Sequence, residues 1–144
     1  MEQLETVFKD FLRKKGLKFT PERKEVLAGL CGMHGHFDAD LLYDTIRTRA
    51  AKLSRATVYR SLPLFLRSGI LHESVRTESR TTYELVYGKE HHDHLICIRC
   101  GRIIEFKEGG IEQLKESVCR RHGFTPVEHR LGIRGFCKDC AKKQ

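Results

Sequence analysis

The chain has 144 residues, 40% of them hydrophobic, with 27 Lys and Arg against 19 Asp and Glu, which gives a net charge of +8. This length suits one domain or two small ones, and small halves need staples beyond their own cores. No run approaches the ~18–20 apolar residues of a membrane span, and the opening Met1-Glu2-Gln3-Leu4-Glu5 has no apolar signal region; the expectation is a cytoplasmic protein without membrane association.

The basic balance points to an anionic partner, most often nucleic acid, although plain solubility explains the same charge. The excess is spread evenly: 15 Lys and Arg face 11 Asp and Glu in residues 1–86, and 12 face 8 in residues 87–144.

In chain order, Leu4, Val7, Phe8, Phe11 and Leu12 recur at the spacing of an amphipathic helix over residues 2–15. Lys14, Lys15 and Lys18 then read as a solvated end, with a phosphate contact as the alternative. Thr20-Pro21-Glu22 starts a second helix, with a hydroxyl cap, a proline at the first position and an acid in the first turn. That helix carries Val26, Leu27, Leu30 and Cys31 and stops at Gly32. Met33-His34-Gly35-His36 reads as a loop, and Asp38 opens a third helix with Leu41, Leu42, Thr45 and Ile46 inward.

Ser54 caps a fourth helix that runs to about Ser68, with a buried stripe of Val58, Leu62, Phe65 and Leu66. Pro63 removes the hydrogen bond to the Tyr59 carbonyl, so a bend is expected there. Arg55, Thr57, Tyr59 and Arg60 fall largely off the stripe, where such residues suit either a solvated face or contact with phosphates and base edges. Two strands, Ile70–Val75 and Thr81–Val86, flank a turn at 76–80. Three helices, a capped basic helix and a hairpin make a winged helix-turn-helix, which favours the DNA reading of that face.

After a hinge at Tyr87–Glu90 comes the densest stretch, His91-His92-Asp93-His94-Leu95-Ile96-Cys97-Ile98-Arg99-Cys100. Cys137-Lys138-Asp139-Cys140 supplies two more thiols. Paired C-x2-C turns aim four sulfurs at one tetrahedral Zn2+; two disulfides are the alternative, disfavoured in a reducing cytosol. A four-thiolate zinc has no open position, so the histidines are expected to serve another ion. Period-2 geometry puts His92 and His94 on one strand face and His91 and Asp93 on the other. Further on, the sequence predicts a strand through 95–97, a turn at 99–102, a strand at 103–106, a helix over 111–122 carrying Ile111, Leu114 and Val118, and a strand over 127–133. On that last strand His129 reads as either a core histidine or a ligand. Cys31 and Cys119 read as core fillers.

The run from His91 to Gly101, the following Ile104-Glu105-Phe106 and Ala56-Thr57-Val58-Tyr59-Arg60 resemble the ferric uptake regulator family, over nearly the whole chain. The resemblance implies an α+β chain. Its parts would be a winged helix-turn-helix DNA-binding domain at 1–86, a hinge at 87–90 and an α/β metal-binding dimerisation domain at 91–144. It implies a metal-dependent repressor of transcription that binds double-stranded operator DNA as a homodimer, with pairing into tetramers left open. Structural Zn2+ would sit on Cys97, Cys100, Cys137 and Cys140. A regulatory ion would take His36, Glu84, His92, His94 and Glu105, and an additional ion His91, Asp93, Glu112 and His129. DNA would meet Arg55, Thr57, Tyr59 and Arg60.

Imidazole with carboxylate suits Fe2+, Mn2+, Zn2+ or Co2+, and spacing does not choose among them. Glu105, where peroxide-sensing relatives have Asp, and the lack of a thiol in the regulatory set make ferrous iron the first choice, with a peroxide, zinc or manganese sensor as the alternative. A metallohydrolase is the rival from another class, but the chain has no H-E-x-x-H and no H-x-E followed by P-C-x-x-C. A zinc-ribbon module with inert histidines is a third reading.

Overall fold

A computed structural model describes residues 1–76 and 79–143. The elements run α1 (Glu2–Lys14), α2 (Pro21–Cys31), β1 (His36–Asp38), α3 (Ala39–Arg47), α4 (Arg55–Arg67), β2 (Leu71–Arg76), β3 (Thr81–Leu85), β4 (Asp93–Cys97), β5 (Ile103–Phe106), α5 (Gly109–Arg121), β6 (Gly132–Gly135) and α6 (Lys138–Ala141). They divide into two compact units, Met1–Lys89 and Glu90–Gln144.

The first unit is built on helix caps. Thr20 accepts from the Arg23 N–H, Asp38 from Leu41 and Ser54 from Thr57, so each of α2, α3 and α4 begins on a side-chain oxygen. The caps fix where each apolar stripe starts. From α1, Leu4, Phe8 and Leu12 go inside; Val26, Leu27 and Leu30 of α2, Leu42 and Ile46 of α3, and Val58, Leu62 and Phe65 of α4 meet them. Phe8 stacks on Phe65 with ring centroids 4.3 Å apart. Gly29 admits the close approach of α2 to α3, since a Cβ there would stand 2.3 Å from Ile46 Cγ1. Helix α4 runs unbroken through Pro63, with the carbonyl of Pro63 accepting from Arg67 Nε at 3.3 Å. Gly69 closes α4 in the left-handed region at φ +75°, and the Ile70 N–H returns to the Phe65 carbonyl.

Against the sequence reading, the segment at 33–36 is not all loop. His36 begins β1, which pairs antiparallel with β3 in a sheet of order β1-β3-β2. The pairing is possible because Phe37 puts its ring in the core while His36 and Asp38 take the other face. Leu41 is exposed and Thr45 only half-buried, whereas Ala39 is buried. The Ile46 contact at Gly29 sets the inward line of α3 at Ala39, Leu42 and Ile46, and Leu41 lies one residue's rotation off it. Leu66 is half-buried, and Ser61 and Leu64 take the inner places beside Leu62. The hairpin strands lie at Leu71–Arg76 and Thr81–Leu85, so Arg76 is strand and not turn; the remainder of the expected turn includes residues 77–78, outside those described. Cys31 packs half-buried against the core.

The second unit is a three-stranded sheet of order β5-β4-β6, in which β4 pairs antiparallel with β5 and parallel with β6. Helix α5 makes the crossover that a parallel pair requires. It starts at Gly109, capped by the Glu108 carboxylate on the Gly110 N–H. The strand expected over 127–133 is confined to Gly132–Gly135. Pairing with β4 begins only at His94↔Gly132, after the His94 N–H reaches the Leu131 carbonyl at 3.1 Å. Val127 is 97% exposed, and His129 lies off the sheet. The short helix α6 was not expected. It carries Cys140, and Cys137 is its N-cap residue.

No residue of α5 is buried, so Ile111, Leu114 and Val118 do not point into a core of this unit, and Cys119 on the same helix is only half-buried. Across the sheet, Ile104, Leu95 and Ile133 stand in one row and all three are exposed. No helix among the described residues is long and apolar enough to cross a membrane.

Candidate metal centres and DNA-facing helix

The four expected thiols converge. One sulfur from each of Cys97, Cys100, Cys137 and Cys140 lies within 4.8 Å of the others. Cys97 ends β4 and Cys100 follows in the turn toward β5, where the Gly101 N–H donates to the Cys97 carbonyl at 2.9 Å. The second pair flanks the start of α6. Cys97 Sγ accepts the Cys137 N–H at 3.3 Å. Backbone N–H groups of Cys100 and Cys137 favour its thiolate and bring its pKa down to about 6. Cys140 is pushed up to about 12, first by burial and then by the neighbouring thiols. Four sulfurs this close cannot all be anionic without a cation among them, and tetrahedral Zn2+ fits the donor set. All six cysteines are free thiols. Two arginines offset the thiolate charge: Arg99 donates to the Cys140 carbonyl at 2.9 Å, and Arg102, which pairs with Asp139 at 3.1 Å, has its pKa raised chiefly by Cys137.

On one face of β4, His91, Asp93, Glu112 and His129 converge, with one donor atom each within 4.8 Å of the others. His91 Nε2 is 3.1 Å from Asp93 Oδ1 and 3.6 Å from Glu112 Oε1; His129 Nε2 is 3.6 Å and 3.3 Å from the same two oxygens. Asp93 is buried. The Glu112 carboxyl is held below its ordinary pKa, first by the Lys115 hydrogen bond and also by His129 and His91. An all-N/O set of this kind suits a divalent first-row metal.

The other face of the same strand holds His94, opposite Glu105 of β5. His92, just before β4, has Nε2 3.8 Å from Glu105 Oε1, turns Nδ1 to the Glu90 carbonyl at 3.1 Å and lies edge-on to His94 with ring centroids 5.0 Å apart. In the first unit, His36 and Glu84 are directly opposite on β1 and β3, with Nε2 to Oε2 at 3.5 Å. Glu84 is fully buried, and Lys89 Nζ reaches its Oε1 at 3.2 Å. A buried carboxylate needs such a cation. Sequence reasoning missed Lys89, and also His72, which stands across from Glu84 on β2 in the same row as His36. The hairpin register of β2 on β3 carries the His72 signal, and β1 then adds His36 to the row.

On α4, Arg55, Tyr59 and Arg60 are exposed, as the stripe predicted, and Thr57 is half-buried. Thr57 Oγ1 is engaged with Ser54 Oγ at 2.9 Å and accepts from Arg60 Nη2 at 3.4 Å. Arg55 and Tyr59 both donate to Asp40 Oδ1, the phenol at 3.0 Å. The Tyr59 pKa is raised, first by that hydrogen bond. Nothing in the sequence spacing marks Asp40, since its role depends on how α3 meets α4.

One unit built to present a basic helix and a wing, joined to another that gathers acids, imidazoles and thiols into clusters of metal-ligand chemistry, defines a metal-responsive regulator of transcription. The sequence profile of the ferric uptake regulator family matches residues 14–134. The peroxide operon regulator of Bacillus subtilis is 32% identical over 143 residues, covering 99% of this chain and 94% of the relative. The ferric uptake regulator of Helicobacter pylori, solved with three functional metal binding sites, has a TM-score of 0.75 at 30% identity, over 96% of this chain and 93% of that one. A zinc uptake regulator complexed with zinc and DNA has a TM-score of 0.57 at 27% identity, over 99% and 95%. The chain belongs to the ferric uptake regulator family and is a transcription regulator, not an enzyme.

Proposed function

We propose that this regulator is a cytoplasmic, ferrous-iron-responsive repressor that controls iron uptake and homeostasis genes. Cys97, Cys100, Cys137 and Cys140 hold structural Zn2+. His36 and Glu84 supply one part of the regulatory ligand set and His92, His94 and Glu105 the other. His91, Asp93, Glu112 and His129 take an additional ion. Arg55, Thr57, Tyr59 and Arg60 meet double-stranded operator DNA, a reading supported by the zinc uptake regulator with DNA among the similar structures.

The observation that carries the iron reading is the chemistry of the regulatory set. It contains imidazole and carboxylate and no thiol, which suits Fe2+ over a softer-site metal, with Mn2+, Zn2+ and Co2+ as substitutes. Glu105 favours this reading over a peroxide sensor, which typically has Asp at this position. A homodimer is favoured by the exposed Ile104–Leu95–Ile133 row and by Leu114 and Val118 of α5, which have no core of their own to enter.

An ion that needs donors from two parts of the chain favours the one arrangement that satisfies all of them, by its differential affinity for that state. In a two-fold dimer this sets the separation of the two α4 helices, which DNA reads as half-site spacing. The test is anaerobic Fe2+ titration calorimetry with and without operator duplex. Linkage requires operator to tighten metal binding by the factor by which metal tightens DNA binding, typically ~5–150-fold. Equal metal affinity in the two titrations would overturn the reading.

A further inference from the structure

Asp40 has no part in the proposed DNA contacts, yet it controls two of them. It lies in the first turn of α3, and its Oδ1 accepts from both the Arg55 guanidinium and the Tyr59 hydroxyl, the latter at 3.0 Å. These donors stand one turn apart on α4. Arg55 is held from a second side as well, its guanidinium lying 4.9 Å over the Tyr43 ring, one turn further along α3. The arrangement is repeated next door, where Arg80, just before β3, pairs with Asp38 at 3.0 Å. Asp38, Asp40, Tyr59, Arg80 and Tyr83 all border one open cleft of about 680 Å³. Both carboxylates at the start of α3 thus hold arginines, Asp40 one on the helix proposed to meet DNA and Asp38 one at the start of the hairpin strand β3.

Resting on the reading of α4 as the DNA-facing helix, we infer that Asp40 is a specificity-determining residue: an internal stand-in for phosphate that Arg55 and Tyr59 must leave before they bind DNA. Exposed ion pairs of this kind contribute little to stability. Their effect on a polyanion is larger. A tethered Arg55 is electrically neutralised, and a bare carboxylate beside phosphates is repelled. On arbitrary DNA the released carboxylate has no partner. At an operator it is satisfied where a base offers an amino group in the major groove, as cytosine does through N4 and adenine through N6. Asp40 therefore weakens binding to DNA in general and penalises the operator less.

The experiment is Asp40→Asn in the full, metal-loaded chain, with affinity measured against salt on operator and on random duplex. The variant keeps the shape and an oxygen for Tyr59 but loses the charge. Random-duplex affinity should rise about three- to eight-fold near 0.1 M salt, the slope of log K against log salt should steepen by about 0.9, and the operator-to-random ratio should fall. In an Arg55→Ala background the same substitution should give a smaller gain, limited to the carboxylate's own repulsion, an outcome that a merely structural role for Asp40 would not produce. Unchanged random-duplex affinity, or an equal rise on both duplexes, overturns the inference. Arg60→Ala, measured in parallel, separates the two claims. If it binds operator like the unsubstituted chain, the α4 reading itself has failed; if it loses operator while Asp40→Asn changes nothing, only the role of Asp40 has.

Discussion

His91 and His129 meet Nε2 to Nε2 at 3.0 Å, although 38 positions separate them in sequence. Two imidazole nitrogens at that distance, with the buried Asp93 and the Glu112 carboxylate beside both, are arranged as donors to one centre. With only protons available, one ring must donate to the other and a lone pair is left competing for the same space. A divalent ion satisfies all four groups at once. Asp93→Ala should therefore reduce bound metal by one equivalent per chain while leaving the zinc on the cysteines. Elemental analysis after dialysis checks this, and an unchanged metal count would remove the additional site.

Cys97→Ser tests the stability of the same unit. Cys97 ends the central strand of the second unit, and its sulfur also accepts the Cys137 N–H. Structural zinc binding contributes folding free energy directly, about 10–16 kcal/mol apparent in isolated zinc fingers at neutral pH. The variant should lose zinc and the far-UV signature of β4, β5 and β6, while the first unit still melts cooperatively. A zinc-free variant that keeps the second unit folded would show that the metal is incidental to it.

Arg60 is exposed on α4, where its Nη2 donates to Thr57 Oγ1 at 3.4 Å. Arg60→Ala should weaken operator binding by roughly 1–3 kcal/mol, the worth of one base contact, with the melting curve unmoved. Fluorescence anisotropy at fixed salt gives the comparison.

Phe65 is fully buried and stacks on Phe8 from the first helix. Phe65→Ala leaves a cavity that α1 and α4 cannot both close, and should cost about 3–5 kcal/mol. Urea unfolding followed by circular dichroism measures it; a cost below about 1 kcal/mol would mean that α1 repacks freely.

The caps at Thr20, Asp38 and Ser54 were legible because each is a local event, one side-chain oxygen meeting an N–H three residues on. The cysteine pairs were legible for the same reason. What was hidden depended on partners far along the chain. Nothing near His36 signals that its segment joins β3 as an edge strand, and nothing near Leu131 signals that β6 must wait for Gly132 to match His94 on β4. Cys119 on α5 is only half-buried, against the expectation of a core filler, because periodicity reports that a face is apolar without saying which surface will cover it. Asp40 was invisible because two helices, each readable alone, meet there.

The parallel pairing of β6 with β4 carries a consequence for synthesis on the ribosome. Everything the first unit needs has been made by Lys89, so it can fold while translation continues. The second cannot. When β4 and β5 have emerged, Cys97 and Cys100 have no sulfur partners, and one side of β4 is an unpaired edge until Gly132–Gly135 arrives through the α5 crossover. Such an edge is a template for pairing with another chain. A nascent chain arrested between Phe106 and Gly132 is therefore the form most exposed to aggregation, and convergence of the four thiols must wait for Cys140.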